Sequence, residues 1–171
     1  GSYQQLARHA ASGDLATTIA NSKRQKCPIM KDVRVYLYFF GKPRDEHANR
    51  MAEEYLKRAR RFARCEMREI KPRKTDVWGK HSGAATILLD PEGKFLDSTQ
   101  FAAMFERAEM EGRDLVFVVG GADGLPREWR GRADLLLSLS PMTLPHELAR
   151  VMLAEQIYRA FASLRGHPYP R

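Results

Sequence analysis

From residue 33 onward, short runs of β-branched and aromatic residues alternate with longer stretches whose apolar residues recur every three or four positions. That alternation constrains the fold more than any other feature. Neighbouring parallel strands need long crossovers, usually helical, and strands covered on both faces read as continuous apolar runs. The expected class is therefore α/β, with a mainly parallel sheet and helices packed on it.

The segments fall in order. Residues 33–40 read as a strand ended by Gly41. Residues 44–64 read as a helix, with Met51, Tyr55, Leu56, Ala59 and Phe62 on one face. A short strand at 65–70 and a polar loop at 71–83 follow. Residues 84–89 form a strand ending in the turn signal Asp90-Pro91-Glu92-Gly93. Asp97-Ser98 cap a helix to Met110, stopped by Gly112. Residues 115–119 are the most apolar strand, residues 126–132 a short helix, and residues 134–139 the last strand. Pro145 opens a long helix to Leu164. Parallel sheets bind ligands in loops at the carboxyl ends of their strands, here residues 89–93, 120–124 and 139–144.

Upstream, Gly1-Ser2 reads as an expression scar, and residues 3–29 as an extension. The extension holds a weak helix at 4–20, interrupted by Gly13, and a basic linker leading to Met30, the expected natural start. One domain then spans 30–171, a length at which a single core is expected. The longest apolar runs fall far short of the roughly 20 residues of a membrane span. Cys27 and Cys65 make neither a disulfide framework nor a metal site, and no secretory pattern opens the chain. The expectation is a cytoplasmic protein without metal or membrane partner. The net charge of +8 points to an anionic partner, most often nucleic acid, though a merely basic surface accounts for the composition equally well. Lys57, Arg58, Arg60, Arg61 and Arg64, with Arg68, Lys71, Arg73 and Lys74, face only Glu66 and Glu69, which favours an RNA-backbone or other phosphate contact over a merely solvated face.

Gly120-Gly121-Ala122-Asp123-Gly124 lets the backbone approach a ligand closely, but it is not the G-x-G-x-x-G of a dinucleotide site and it comes late. Residues 138–146, Ser-Leu-Ser-Pro-Met-Thr-Leu-Pro-His, can offer backbone groups to a purine edge and apolar side chains to its face; a tight connection explains them equally well. In the last helix Arg150 stands one turn from His146, and Glu155 and Arg159 form an i,i+4 pair. That helix is apolar nearly all round, which suggests a second subunit. Two prolines stiffen the tail Gly166-His167-Pro168-Tyr169-Pro170-Arg171.

Together, VFVVGGADGL, LSLSPMTLPHELARVMLAEQIYRA and the terminal GHPYPR closely resemble the SPOUT-class RlmH family, methyltransferases of a pseudouridine in bacterial large-subunit ribosomal RNA. The resemblance covers residues 30–171, more loosely in the first half. It implies an α/β trefoil knot, a homodimer, and S-adenosylmethionine held by Leu89 and Gly120 and by Leu139, Ser140, Pro141, Met142, Thr143 and Leu144. It implies transfer of a methyl group to N3 of a pseudouridine in helix 69 of 23S rRNA, in the assembled ribosome. His146, Arg150, His167, Tyr169 and Arg171 carry groups suited to positioning a splayed-out base.

Two departures stand out. The family usually ends in H-P-Y-H-R, and here Pro170 replaces the second His. The family also has a helix between its second and third strands, where this chain has only residues 71–83; helix 4–20 is the candidate cover for the sheet face left bare. The rival readings are a non-catalytic ribosome- or RNA-binding module on the same fold, a SPOUT enzyme with another RNA target and, last, a nucleotide-dependent oxidoreductase.

Overall fold

The computed structural model describes residues 30–170. The expected helix at 4–20, the basic linker and Arg171 lie outside the described residues.

Five strands form one sheet in the order β2-β1-β4-β3-β5, and all four ladders are parallel. These strands are β1 (Arg34–Phe40), β2 (Arg64–Ile70), β3 (Ala85–Phe95), β4 (Leu115–Val119) and β5 (Leu135–Ser138). All five residues of the central β4 are buried, which is why that segment is apolar without alternation. Because every ladder is parallel, all the carboxyl ends emerge along one edge of the sheet.

Three long helices, α1 (Glu46–Ala59), α3 (Ser98–Glu111) and α5 (His146–Leu164), pack on one face. Phe105 of α3 sits at the centre of that layer, with ring centroids 5.9 Å from Phe117 and 5.0 Å from Phe161. Asp97 and Gln100 close a capping box at the start of α3, and Gly112 ends it at φ 67°. Among the described residues, the opposite face carries two single turns, α2 (Val77–Lys80) and α4 (Arg127–Arg130). They cover Tyr38, Phe40, Leu88, Val116 and Val118 with Val77 and Trp129.

Three segments differ from the sequence reading. The first helix ends at Ala59 rather than 64, because Arg60 to Ala63 tighten into turns before β2 begins. The 71–83 connection is not wholly a loop: Asp76 accepts from the Gly79 amide and caps the turn of α2. The third strand does not stop at residue 89. It loops out and resumes, so that both Leu89 and Lys94 register with Leu137.

Candidate functional site

The loops after β3, β4 and β5 converge on one cleft of about 630 Å³. Leu89, Gly120, Leu139, Ser140, Pro141, Met142, Thr143 and Leu144 all line it, as does His146 at the start of α5. Each loop is held by its own local chemistry. Ser138 Oγ donates to the Ser140 carbonyl at 3.0 Å, and Ser140 Oγ accepts from the Met142 amide at 2.9 Å. The Gly124 amide donates to the Gly121 carbonyl at 3.0 Å. That turn is so tight that a Cβ on Gly120 would lie 2.9 Å from the Gly124 carbonyl carbon. Pro145 opens α5 without a side-chain cap, so unpaired first-turn amides stand beside the cleft.

One wall is ionic. Arg130 Nε lies 2.8 Å from Asp90 Oδ2, and its Nη2 donates to Glu92 Oε2 at 2.8 Å. The hydrogen bond from Arg130 holds the Glu92 carboxyl below the usual carboxylate range. Asp90 also accepts from the Glu92 amide at 2.9 Å, which folds residues 90–92 back on themselves.

The sequence profile of a family described as "Predicted SPOUT methyltransferase" matches residues 33–170. Curated relatives carry the name "Ribosomal RNA large subunit methyltransferase H". The one from Solibacter usitatus (strain Ellin6076) is 64% identical over 139 residues, covering 81% of this chain and 100% of that protein. The one from Sorangium cellulosum (strain So ce56) is 41% identical over 143 residues, covering 80% of this chain and 99% of that one. The chain belongs to the SPOUT methyltransferase family, in its RlmH branch. Solved structures share the fold at low identity. A probable methyltransferase from Bordetella pertussis Tohama I matches at TM-score 0.52 and 13% identity, over 75% of this chain and 96% of that one. A probable methylase family protein from Haemophilus influenzae Rd KW20 matches at TM-score 0.50 and 10% identity, over 82% and 71%.

In this SPOUT methyltransferase the expected substrate-positioning residues do not stand together. His146 lines the cleft, whereas Arg150 turns inward. Arg150 is 2% exposed, and its guanidinium carbon lies 3.8 Å from the centroid of the Phe39 ring. Burial draws its pKa down, and Glu147, at 3.7 Å, opposes that. The tail folds onto the middle of α5. Tyr169 Oη donates to Glu155 Oε1 at 2.9 Å, and the same oxygen accepts from Arg159 Nε at 2.9 Å. Burial and Glu155 together push the Tyr169 phenol up. His167 sits edge-on to Phe62 at 5.9 Å, and its Nδ1 accepts from the Tyr169 amide. At about 1.5 Å per helical residue, Glu155 lies roughly 14 Å along α5 from His146.

Sequence reasoning missed Arg127 and Arg130 as walls of the cleft. It placed Asp90 and Glu92 in a ligand-side loop as turn formers but gave them no ionic partner. No spacing rule links Asp90 to a cation forty residues on. Among the described residues, no group of three or more His, Cys, Asp or Glu could hold a metal ion, and no helix is long and apolar enough to cross a membrane.

Proposed function

We propose that this chain transfers a methyl group from S-adenosylmethionine to N3 of a pseudouridine in helix 69 of 23S rRNA, in the assembled ribosome, and that it works as a homodimer. The observation that carries the reading is the convergence of three separate carboxyl-end loops on one cleft. The cleft volume falls within the roughly 300–1,000 Å³ of small-molecule sites. Its lining suits this cofactor. Leu89, Leu139, Met142 and Leu144 offer an apolar wall to an adenine face, and the backbone of 139–144 can pair with the purine edge. Gly120 gives the backbone the closeness that a side chain would deny.

When bound, S-adenosylmethionine would supply an electrophilic methyl for N3, with S-adenosylhomocysteine as leaving group and the N3 proton passing to solvent. The protein's part is orientation and exclusion of water. His146 stands at the cleft edge where the base would enter. His167, Tyr169 and Arg171 position the substrate from the tail, and Arg150 supports the floor behind β1.

Isothermal calorimetry with S-adenosylmethionine, followed by mass spectrometry of 23S rRNA from ribosomes incubated with the protein, tests the reading. Cofactor binding with one new methyl in helix 69 is the expected result. No binding at millimolar cofactor would leave the non-catalytic RNA module instead. His167→Ala is expected to lower turnover at least about 10-fold while the cofactor Kd stays within a factor of two. Turnover near wild type would remove the tail from the reaction.

The homodimer has its own support. Leu148 and Met152, one turn apart on α5, are 46% and 37% exposed, and Met142 beside the cleft is 76% exposed. A second copy is the partner suited to this apolar edge. Leu148→Glu/Met152→Glu is expected to give a folded monomer by light scattering. If that variant remains a dimer, this face is not the interface.

A further inference from the structure

On the sheet face opposite the three long helices, a second hollow of about 330 Å³ opens between α2, α4 and the segment leading into α2. Its lining is Trp78, Trp129, Arg73, Lys74, Arg132, Thr75 and Asp76. Aromatic rings and cations alternate around it. The Arg132 guanidinium carbon lies 4.4 Å from the centroid of the Trp78 ring, and Trp78 meets Trp129 edge-on at 5.2 Å. Trp129 is buried, so Trp78 and the guanidinium over it form the accessible stack. The indole N–H is already satisfied, donating to the Arg132 carbonyl at 3.2 Å. What remains open to a ligand is π surface and three cations against the single carboxylate of Asp76.

Those charges are unspent. Arg73, Lys74 and Arg132 have no carboxylate within ion-pair distance among the described residues. Asp76, the one acid in the hollow, accepts from the Gly79 amide with Oδ1. Exposed aromatic–arginine stacks flanked by unpaired cations are the means by which proteins hold unpaired nucleotides. The bases stack on rings or guanidinium planes, and the phosphates meet the cations.

The position of the hollow relates it to the cleft. Helix α4 is a single turn, about 6 Å long. Its Arg127 and Arg130 face the cofactor cleft, while its Trp129 faces the hollow. The two cavities therefore stand on opposite sides of one helical turn.

We propose that the Trp78–Arg132 hollow is a docking site for single-stranded RNA, stacking an unpaired base near the target nucleotide while Arg73 and Lys74 hold its phosphates. This deepens the RNA-methyltransferase reading and rests on it. It also gives a use to residues 71–83, a cationic, tryptophan-bearing connection between β2 and β3.

Trp78 and Trp129 are the only tryptophans in the sequence, so intrinsic emission reports on this hollow. The full chain is first saturated with S-adenosylmethionine, and single-stranded oligoadenylate is then titrated in. Saturable quenching is expected, with an apparent Kd that rises with salt. Arg132→Ala and Arg73→Ala/Lys74→Ala are each expected to weaken binding about tenfold. Each phosphate-contacting cation removed should lower the slope of log K against log salt by about 0.7. Thermal melts and cofactor titrations should match wild type. Oligoadenylate binding with unmoved emission, variants with wild-type affinity, or no binding by the wild type would each overturn the docking site. Methylation of ribosomes by the wild-type protein is scored separately. Wild-type methylation together with variants of unchanged kcat/KM would sink the hollow and leave the methyltransferase reading standing.

Discussion

Gly93→Ala is expected to unfold the floor of the cleft more than any other single added methyl. Gly93 lies where β3 loops out and resumes its pairing with β5. A Cβ there would stand 2.6 Å from the Leu136 carbonyl carbon and 2.7 Å from that of Leu137. Both are backbone atoms of the hydrogen-bonded neighbour, so no side-chain rotation relieves the clash. The strands must part, and β5 carries Ser138 and the 139–144 loop that lines the cleft with it. Overpacking of this kind costs about 1–3 kcal/mol. The expected result is a lower melting temperature and at least about tenfold weaker S-adenosylmethionine binding by calorimetry. Unchanged values for both would mean that β5 yields freely and that its position does not shape the cleft.

Glu147→Ala is expected to cost about 3–5 kcal/mol of folding stability, because it leaves a buried cation alone. Among the described residues, Glu147 is the one carboxylate within 4 Å of the Arg150 guanidinium, whose Nε and Nη2 have no hydrogen-bond partner there. It also accepts from the Arg44 amide at 2.7 Å, tying the loop after β1 to the start of α5. That amide bond is the chief reason its carboxyl sits below the usual range. A depressed carboxyl contributes fully above its unfolded pKa of about 4.3 and loses the contribution as pH falls through its lower folded value. Glu147→Ala should therefore matter at pH 7 and progressively less in strong acid. Replacing Arg150 by Met in the same chain should restore most of the stability, since an apolar group of similar length needs no counter-charge. Urea melts of both variants check the pair, and a loss under about 1 kcal/mol for Glu147→Ala would refute the argument.

Much of the scaffold could be read in advance. The unbroken apolar run at 115–119 marked the central strand, and Asp97-Ser98 marked a helix start that the structure closes as a capping box between Asp97 and Gln100. The three carboxyl-end loops followed from parallel topology alone. What escaped depended on contacts distant in sequence. Nothing near Asp90 announces Arg130, and a one-turn helix such as Val77–Lys80 is too short to show a period. Arg150 was placed with His146 by helical spacing, yet it faces β1. α5 buries residues nearly all round, so its sequence carries no phase from which an inward side can be told.

The strand order has a consequence in time. Val35 registers with Leu115, a separation of roughly eighty residues, and among the described residues β3 pairs with β4 and β5, both still to come when it is made. During synthesis the first three strands leave the ribosome before the sheet has its middle. Assembly waits on Leu115–Val119, and non-local pairing of this kind folds slowly. Nascent chains of this protein are thus expected to linger with open apolar edges, a natural client state for chaperones, until the last third of the chain has emerged.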